Sequence, residues 1–281
     1  MSTNGISNRR IFITGGASGL GRALAERYAR AGWRVCIGDL DIERCADTLA
    51  ALQQHSPQNH ALACNVTSEE DLQAAADWLK RHWSGVDVVV NNAGVAQMGS
   101  IGDATLADWQ WIVDINLLGV VRGCKVFAPL LRAQGGGALV NIASMAGLVH
   151  LPSAGAYNAT KAAVVALSET LQLELERDRI RVSVVCPAFF RTALAANMRA
   201  SDPKLEQMTK RLVERARIGP EEIAEKIFDG VTRGDTHILT HPEARRAWWL
   251  KRYLPYRLYL AMMRRQLAKV EARMQRKASP T

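Results

Sequence analysis

The sequence lacks the marks of a secreted, metal-binding or membrane-spanning protein. Only five cysteines occur in 281 residues: Cys36, Cys45, Cys64, Cys124 and Cys186. An odd number with no C-x-x-C or Cys/His spacing defines neither a disulfide framework nor a zinc site. These thiols are expected to be reduced and to pack as small hydrophobes. The first ten residues lack the apolar core of a signal peptide. No residue between Arg132 and Lys161 is charged, yet Gly135, Gly136, Gly137, Asn141, Ser144, Gly147, Pro152, Gly155 and Asn158 interrupt that stretch. A spanning helix needs about 20 mostly apolar residues, so a cytoplasmic chain without a transmembrane segment is expected. Acid is scarce at one end. From Arg245 to Lys277 there are eleven Lys and Arg against the single acid Glu271, a net +10 that leaves the other residues at −1 of the overall +9. A nearly neutral body with a basic tail does not match a nucleic-acid-binding fold.

What is present is an alternation of strand-like and helix-like runs. Strands are expected at 10–14, 34–38, 60–64, 86–90, 138–142, 180–186 and 236–239, with helices through residue 31 and at 43–55, 69–83, 109–131 and 157–177. The run Val86 to Val90 is continuously apolar, as in a strand covered on both faces. Repeated βα units predict a Rossmann-like, doubly wound, seven-stranded parallel sheet with helices on both faces. Ligands then bind at the carboxyl ends of the strands. Residues 1–240 form the expected nucleotide-binding and catalytic domain, and 241–281 a basic helical extension.

Between the first strand and first helix lies Thr14-Gly15-Gly16-Ala17-Ser18-Gly19-Leu20-Gly21. Gly15 permits the turn, and Gly19 and Gly21 allow a pyrophosphate and the helix to approach the backbone. The phosphate then meets free N–H groups at a helix N-terminus, with Ser18 and Leu20 in the same turn. Asp39 ends the second strand, where a carboxylate accepts hydrogen bonds from an adenosine ribose and repels a 2′-phosphate. Ser18 supplies no compensating cation. These features predict NAD, not NADP, as cofactor.

Tyr157 and Lys161 stand four residues apart on one helix face. A free phenol, with a pKa of about 10, is a poor base near neutrality. A nearby ammonium, aided by an oxidised nicotinamide, favours the phenolate. Together with the glycine turn, Asn91-Asn92-Ala93-Gly94, Asn116 and Ser144, this Tyr-x-x-x-Lys resembles the short-chain dehydrogenase/reductase family over roughly residues 8–240. The resemblance implies that Tyr157 is the general acid/base and that Ser144 hydrogen-bonds the reacting oxygen. It implies that Lys161 also holds the nicotinamide ribose and Asn116 anchors a proton-relaying water. Asn91, Ala93 and Gly94 would stabilise the sheet and line the adenosine side. Homodimers or homotetramers are implied as well. Two positions depart from the family pattern. Asn65, before Val66, replaces an Asp that meets the adenine amino group, and its acceptor oxygen is expected to keep that contact. Pro187-Ala188 stands for Pro-Gly, which questions the loop conformation but leaves Thr192 to hold the carboxamide.

The expected reaction interconverts a secondary alcohol and a ketone or related carbonyl. The alternatives are an NADP(H)-dependent carbonyl or 3-oxoacyl reductase and a non-catalytic nucleotide-binding scaffold. Residues 189–218 are expected to cover the substrate. Gln97, Met98, His150, Phe189, Phe190 and Met198 are candidate pocket residues beside Ser144, and they lean toward a lipophilic substrate. In the tail, Trp249, Tyr253, Tyr256, Leu260, Met263, Leu267, Val270 and Met274 recur at helical spacing, with Pro255 dividing two helices. This stripe either docks on the domain or a sister subunit, meets another partner, or lies on anionic lipid.

Overall fold

In the computed structural model, which describes residues 9–192, 194 and 198–278 with side chains through 268, seven parallel strands form the central sheet. They are β1 (Arg10–Thr14), β2 (Arg34–Asp39), β3 (His60–Ala63), β4 (Val88–Asn91), β6 (Gly137–Ile142), β7 (Ile180–Val185) and β9 (His237–Ile238). The sheet order is β3-β2-β1-β4-β6-β7-β9. The chain winds outward from β1 to β3 and then crosses back to β4, so the direction of winding reverses between β1 and β4. Their carboxyl ends therefore open a crevice, the usual ligand site of such sheets. The fold is Rossmann-like, with Ile11, Ile13, Val35, Ile37, Val88, Val90 and Val140 in the buried core. Two short strands absent from the sequence expectation, β5 (Gln97–Met98) and β8 (Arg199–Ala200), pair in a separate parallel sheet.

Helices α1 (Gly19–Arg30), α2 (Ala46–Gln53), α3 (Glu69–Trp83), α4 (Leu106–Val113), α5 (Gly119–Ala133) and α6 (Gly155–Glu174) connect the strands, and α7 (Pro203–Glu214) and α8 (Pro220–Arg233) precede β9. Local chemistry sets their ends. The Ser68 side chain caps α3 by accepting the Asp71 N–H, with three acids in the first turn and Lys80, Arg81 and His82 in the last. Pro220 opens α8 and left-handed Gly234 closes it. The long helix expected over 109–131 is instead α4 and α5 joined by a π-helical turn, Asp114–Leu118, which contains Asn116. One extra residue per turn re-aims side chains without ending the helix.

The chain divides after Thr240. The second unit holds α9 (Pro242–Tyr253) and α10 (Tyr256–Ala278). Leu254 is extended, with φ −76° and ψ 144°, the conformation that a following proline imposes. The side chains of Val270 and Met274 lie outside the described residues. Among the described residues, no helix is long and apolar enough to cross a membrane.

Candidate active site

The turn after β1 is built around two left-handed glycines, Gly15 at φ 66° and Gly19 at φ 55°. The N–H groups of Gly15 and Gly16 both donate to Gly38 O, at 2.7 and 3.2 Å. A Cβ on Gly21 would overlap the Gly15 carbonyl, so α1 packs directly on the turn. Ser18 is the N-cap of α1, yet its side chain makes no capping bond, and the first turn carries no acid. The helix N-terminus is thus open to an anion. Leu20 is buried in the core beneath it.

A clasp missed by sequence reasoning fixes this turn against β4. Asn92 Nδ2 donates to Thr14 O and Gly15 O at 2.8 and 3.1 Å. Thr14 Oγ1 accepts the N–H groups of Asn92 and Ala93 at 3.0 and 3.1 Å. Ala93 therefore lies against the glycine turn. Asn91 points elsewhere: it is 3% exposed and donates to Asn141 Oδ1 at 2.9 Å. Asn141 in turn donates to Ser168 Oγ at 3.0 Å. The Asn91 side chain is thus committed to the sheet interior, and the expected cofactor-lining part of that segment is left to Ala93 and Gly94.

Asp39 is 9% exposed, and its Oδ2 accepts the Ala17 N–H at 3.1 Å. Neither Ala17 nor Leu40 places a cation there. The Asn65 side chain is engaged locally. Its Oδ1 accepts both the N–H and the hydroxyl of Thr67, at 3.0 and 2.9 Å. Because one donor is a backbone N–H, the oxygen is the inward atom, and its two lone pairs are used. An adenine amino group would compete with Thr67 for this oxygen. Val66 is buried against Gly119 at the start of α5.

Beyond β6, Ser144, Tyr157 and Lys161 converge. Lys161 Nζ is buried, donates to Ile142 O at 2.9 Å and lies 5.9 Å from the centre of the Tyr157 ring. Ser144 Oγ accepts the Ala146 N–H at 3.1 Å and donates to Pro187 O at 3.4 Å, with the Tyr157 hydroxyl near enough for Ser144 to favour the phenolate. Gly147, another residue not singled out in the sequence, permits this approach, since a Cβ there would sit 2.6 Å from Lys161 O. Burial raises the Tyr157 pKa, opposed by the Ser144 hydroxyl, while the buried Cys186 thiol adds a smaller upward push. Burial also lowers Lys161 from 10.5 to about 8. The phenol is therefore harder to ionise in the chain alone than the Tyr–Lys spacing predicts, because desolvation opposes the charged form of both groups.

Asn116 is fully buried, and its amide pairs with the Val95 backbone in both directions at 2.8 Å. A Cβ on Gly94 would lie 3.1 Å from Asn116 Oδ1 and 3.6 Å from Lys161 Nζ. The π-helical turn thus holds the loop after β4 beside the lysine. Pro187 O accepts the Met145 N–H at 2.8 Å, tying the exit of β7 to Ser144. Ala188 takes no positive φ, so alanine fits where sequence reasoning raised a doubt. Thr192 Oγ1 accepts the Leu194 N–H at 3.3 Å.

The small β5–β8 sheet brings Gln97 and Met98 beside Arg199, next to Met198. Gly99 bridges Ala154, just before α6. Gln97 is 1% exposed, and its Oε1 has no hydrogen-bond partner. Phe189 and His150 are exposed, and the His150 ring bonds Ala146 O at 2.9 Å. Phe190 is half-buried and packs against the main core. Among the described residues, no group of His, Cys, Asp and Glu could hold a metal ion.

A family model described as short chain dehydrogenase matches residues 9–203. The D-threitol dehydrogenase of Mycolicibacterium smegmatis is 35% identical over 214 residues, covering 76% of this chain and 82% of that protein. A short chain dehydrogenase/reductase from Burkholderia phymatum in complex with NAD superimposes with a TM-score of 0.81 at 31% identity, covering 87% of this chain and 93% of that one. An alcohol dehydrogenase from Thermococcus sibiricus, complexed with 5-hydroxy-NADP, gives a TM-score of 0.71 at 25% identity, with 82% and 95% covered.

Proposed function

Because the chain belongs to the short-chain dehydrogenase family and is an oxidoreductase that uses a nicotinamide cofactor, we propose that it is NAD(H)-dependent and interconverts a secondary alcohol and its ketone, with Tyr157 as general acid/base. The observation that carries this reading is the convergence of Ser144 and Tyr157 with buried Lys161 one helical turn away. When bound, the nicotinamide supplies or accepts the hydride. During oxidation Tyr157 Oη takes the alcohol proton, and during reduction it returns a proton to the carbonyl oxygen. Ser144 Oγ orients the reacting oxygen and stabilises the phenolate. Lys161 adds positive charge beside the phenol and holds the cofactor ribose, while Asn116 anchors a proton-relaying water.

NAD is favoured by Asp39, whose carboxylate is held by Ala17 N–H in a turn without a lysine or arginine. A 2′-phosphate would stand against that carboxylate. Gly15, Ser18, Gly19, Leu20 and Gly21 would receive the pyrophosphate, and Thr192 the carboxamide. The substrate side is less apolar than the aromatic residues of 189–218 promise. Phe190 is half-buried against the core, and the buried Gln97 oxygen favours a substrate that carries a hydrogen-bond donor. The proposed oligomer is a homodimer or homotetramer, in keeping with a family that is commonly oligomeric, and the cytoplasm is the proposed location.

Tyr157→Phe should lower kcat by about 10²–10⁴-fold while leaving NADH binding, read by cofactor fluorescence, unchanged. A panel of polyols, aromatic alcohols and steroids provides the substrate. Retained turnover in Tyr157→Phe would overturn the acid/base assignment. Tighter binding of NADPH than of NADH in competitive titration would replace the cofactor reading with its NADP(H)-dependent alternative. Cofactor binding without turnover of any panel member by the native chain would favour the scaffold.

A further inference from the structure

The corner where α9 meets α10 carries the largest group of exposed apolar side chains in the second unit. Trp249, Tyr253, Tyr256 and Leu258 are 53%, 65%, 63% and 59% exposed, and Leu250 is 41% exposed. Trp249, Leu250 and Tyr253 share an arc of about 100° on α9, and the Trp249 and Tyr253 rings stack at 4.9 Å. Pro255 turns the chain so that Tyr256 and Leu258 follow directly. Around them Arg245, Arg246, Arg252 and Arg257 are all exposed, and no Asp or Glu occurs from Pro255 back to Ala244. On α9 the opposite face is the covered one, whereas on α10 Tyr256 lies on the same face as the half-buried residues and Leu258 lies on the other. Ala244 and Tyr259 are buried, and Leu260, Met263 and Leu267 are half-buried. The stripe read from the sequence therefore runs from an aromatic end that faces solvent to a half-buried aliphatic end.

We propose that this corner docks on an anionic lipid bilayer. Tryptophan and tyrosine suit the headgroup level, where the ring body leaves water and the N–H or O–H stays hydrated. Leu250 and Leu258 supply aliphatic surface that reaches the acyl boundary, and the four arginines meet lipid phosphates and carboxylates. Charge separates this occupant from a second copy of the chain. Two such corners face to face would oppose arginines with no acid in the segment to offset them. The remainder of the chain, at net −1, offers no matching acidic excess. A polyanion such as nucleic acid would use the arginines but gives no reason for two exposed leucines. The inference is independent of the oxidoreductase reading.

The test is co-sedimentation of the intact chain with vesicles of phosphatidylcholine alone and of equal parts phosphatidylcholine and phosphatidylglycerol. Two variants accompany it, Trp249→Ser/Tyr253→Ser/Tyr256→Ser and Arg245→Gln/Arg246→Gln/Arg252→Gln/Arg257→Gln. Circular dichroism verifies folding, and light scattering gives the molar mass. The intact chain should partition onto the anionic vesicles only and be released by salt. The arginine variant should lose about fivefold in partition coefficient per cation removed, and the aromatic variant roughly tenfold or more. Failure of the intact chain to bind anionic vesicles overturns the proposal. So does full binding by the aromatic variant, which would leave a charge-only polyanion site. A lower molar mass of the aromatic variant with unchanged vesicle binding would instead make the corner a contact between copies.

Discussion

A half-buried phenol and a buried ammonium one turn apart both resist ionisation. Burial raises Tyr157 and lowers Lys161 to about 8, so each is driven toward its neutral form, and Ser144 opposes the shift at the phenol. With Tyr157 as the proposed acid/base, oxidation would need the phenolate and should speed up as pH rises, whereas reduction would need the phenol and should slow. Ser144→Ala removes a donor that stabilises the phenolate, so the Tyr157 pKa must rise further. The expected outcome is an upward shift of the oxidation limb in kcat/KM against pH, with reduction persisting to higher pH than in the native chain. A limb that stays put would show that the hydroxyl acts on substrate alone. The Tyr157–Lys161 pair was legible because a four-residue spacing on a helix fixes a shared face, whereas Ser144 was reached only through the family resemblance. The local engagement of Asn65 was not legible, because it depends on Thr67, two residues away, donating twice to its oxygen. Composition alone carries no sign of such local turns.

The central strands were legible for the same kind of reason: an apolar run such as Val88 to Val90 has few other places to go. Two-residue strands such as β5 and β8 leave no periodicity to read, and a π-helical turn adds one residue without altering the pattern around it. Helix α8 did carry a signal, with proline at its start and glycine after its end, that periodicity in the core had overshadowed. Between elements, α5 rides close over β4 because Gly123 has no side chain. A Cβ there would run into the Asn91 amide, which links β4 to β6 through Asn141. Gly123→Ala should therefore destabilise the chain by about 1–3 kcal/mol, measured as a lower urea midpoint with an unchanged slope. A change of only a few tenths would mean that α5 can lift away without disturbing the Asn91–Asn141 pair.

Across the molecule, all five thiols are free and buried. Burial pushes Cys45 up to about 11 and Cys64, Cys124 and Cys186 up to about 12, with Cys36 also raised. Since the thiolate is the reactive species, a charged disulfide reagent at neutral pH should label the native chain slowly. All five should react together as denaturant unfolds it. A thiol that reacts ahead of the main transition would locate a region that opens on its own. The Thr14–Asn92 clasp has a consequence for how such a chain comes into being. Its partners lie 78 residues apart, so during synthesis the first glycine turn leaves the ribosome long before the asparagine that braces it. The nascent N-terminal half can form its early strand–helix pairs, but its nucleotide pocket takes final shape only after the fourth strand has emerged and been threaded beside the first.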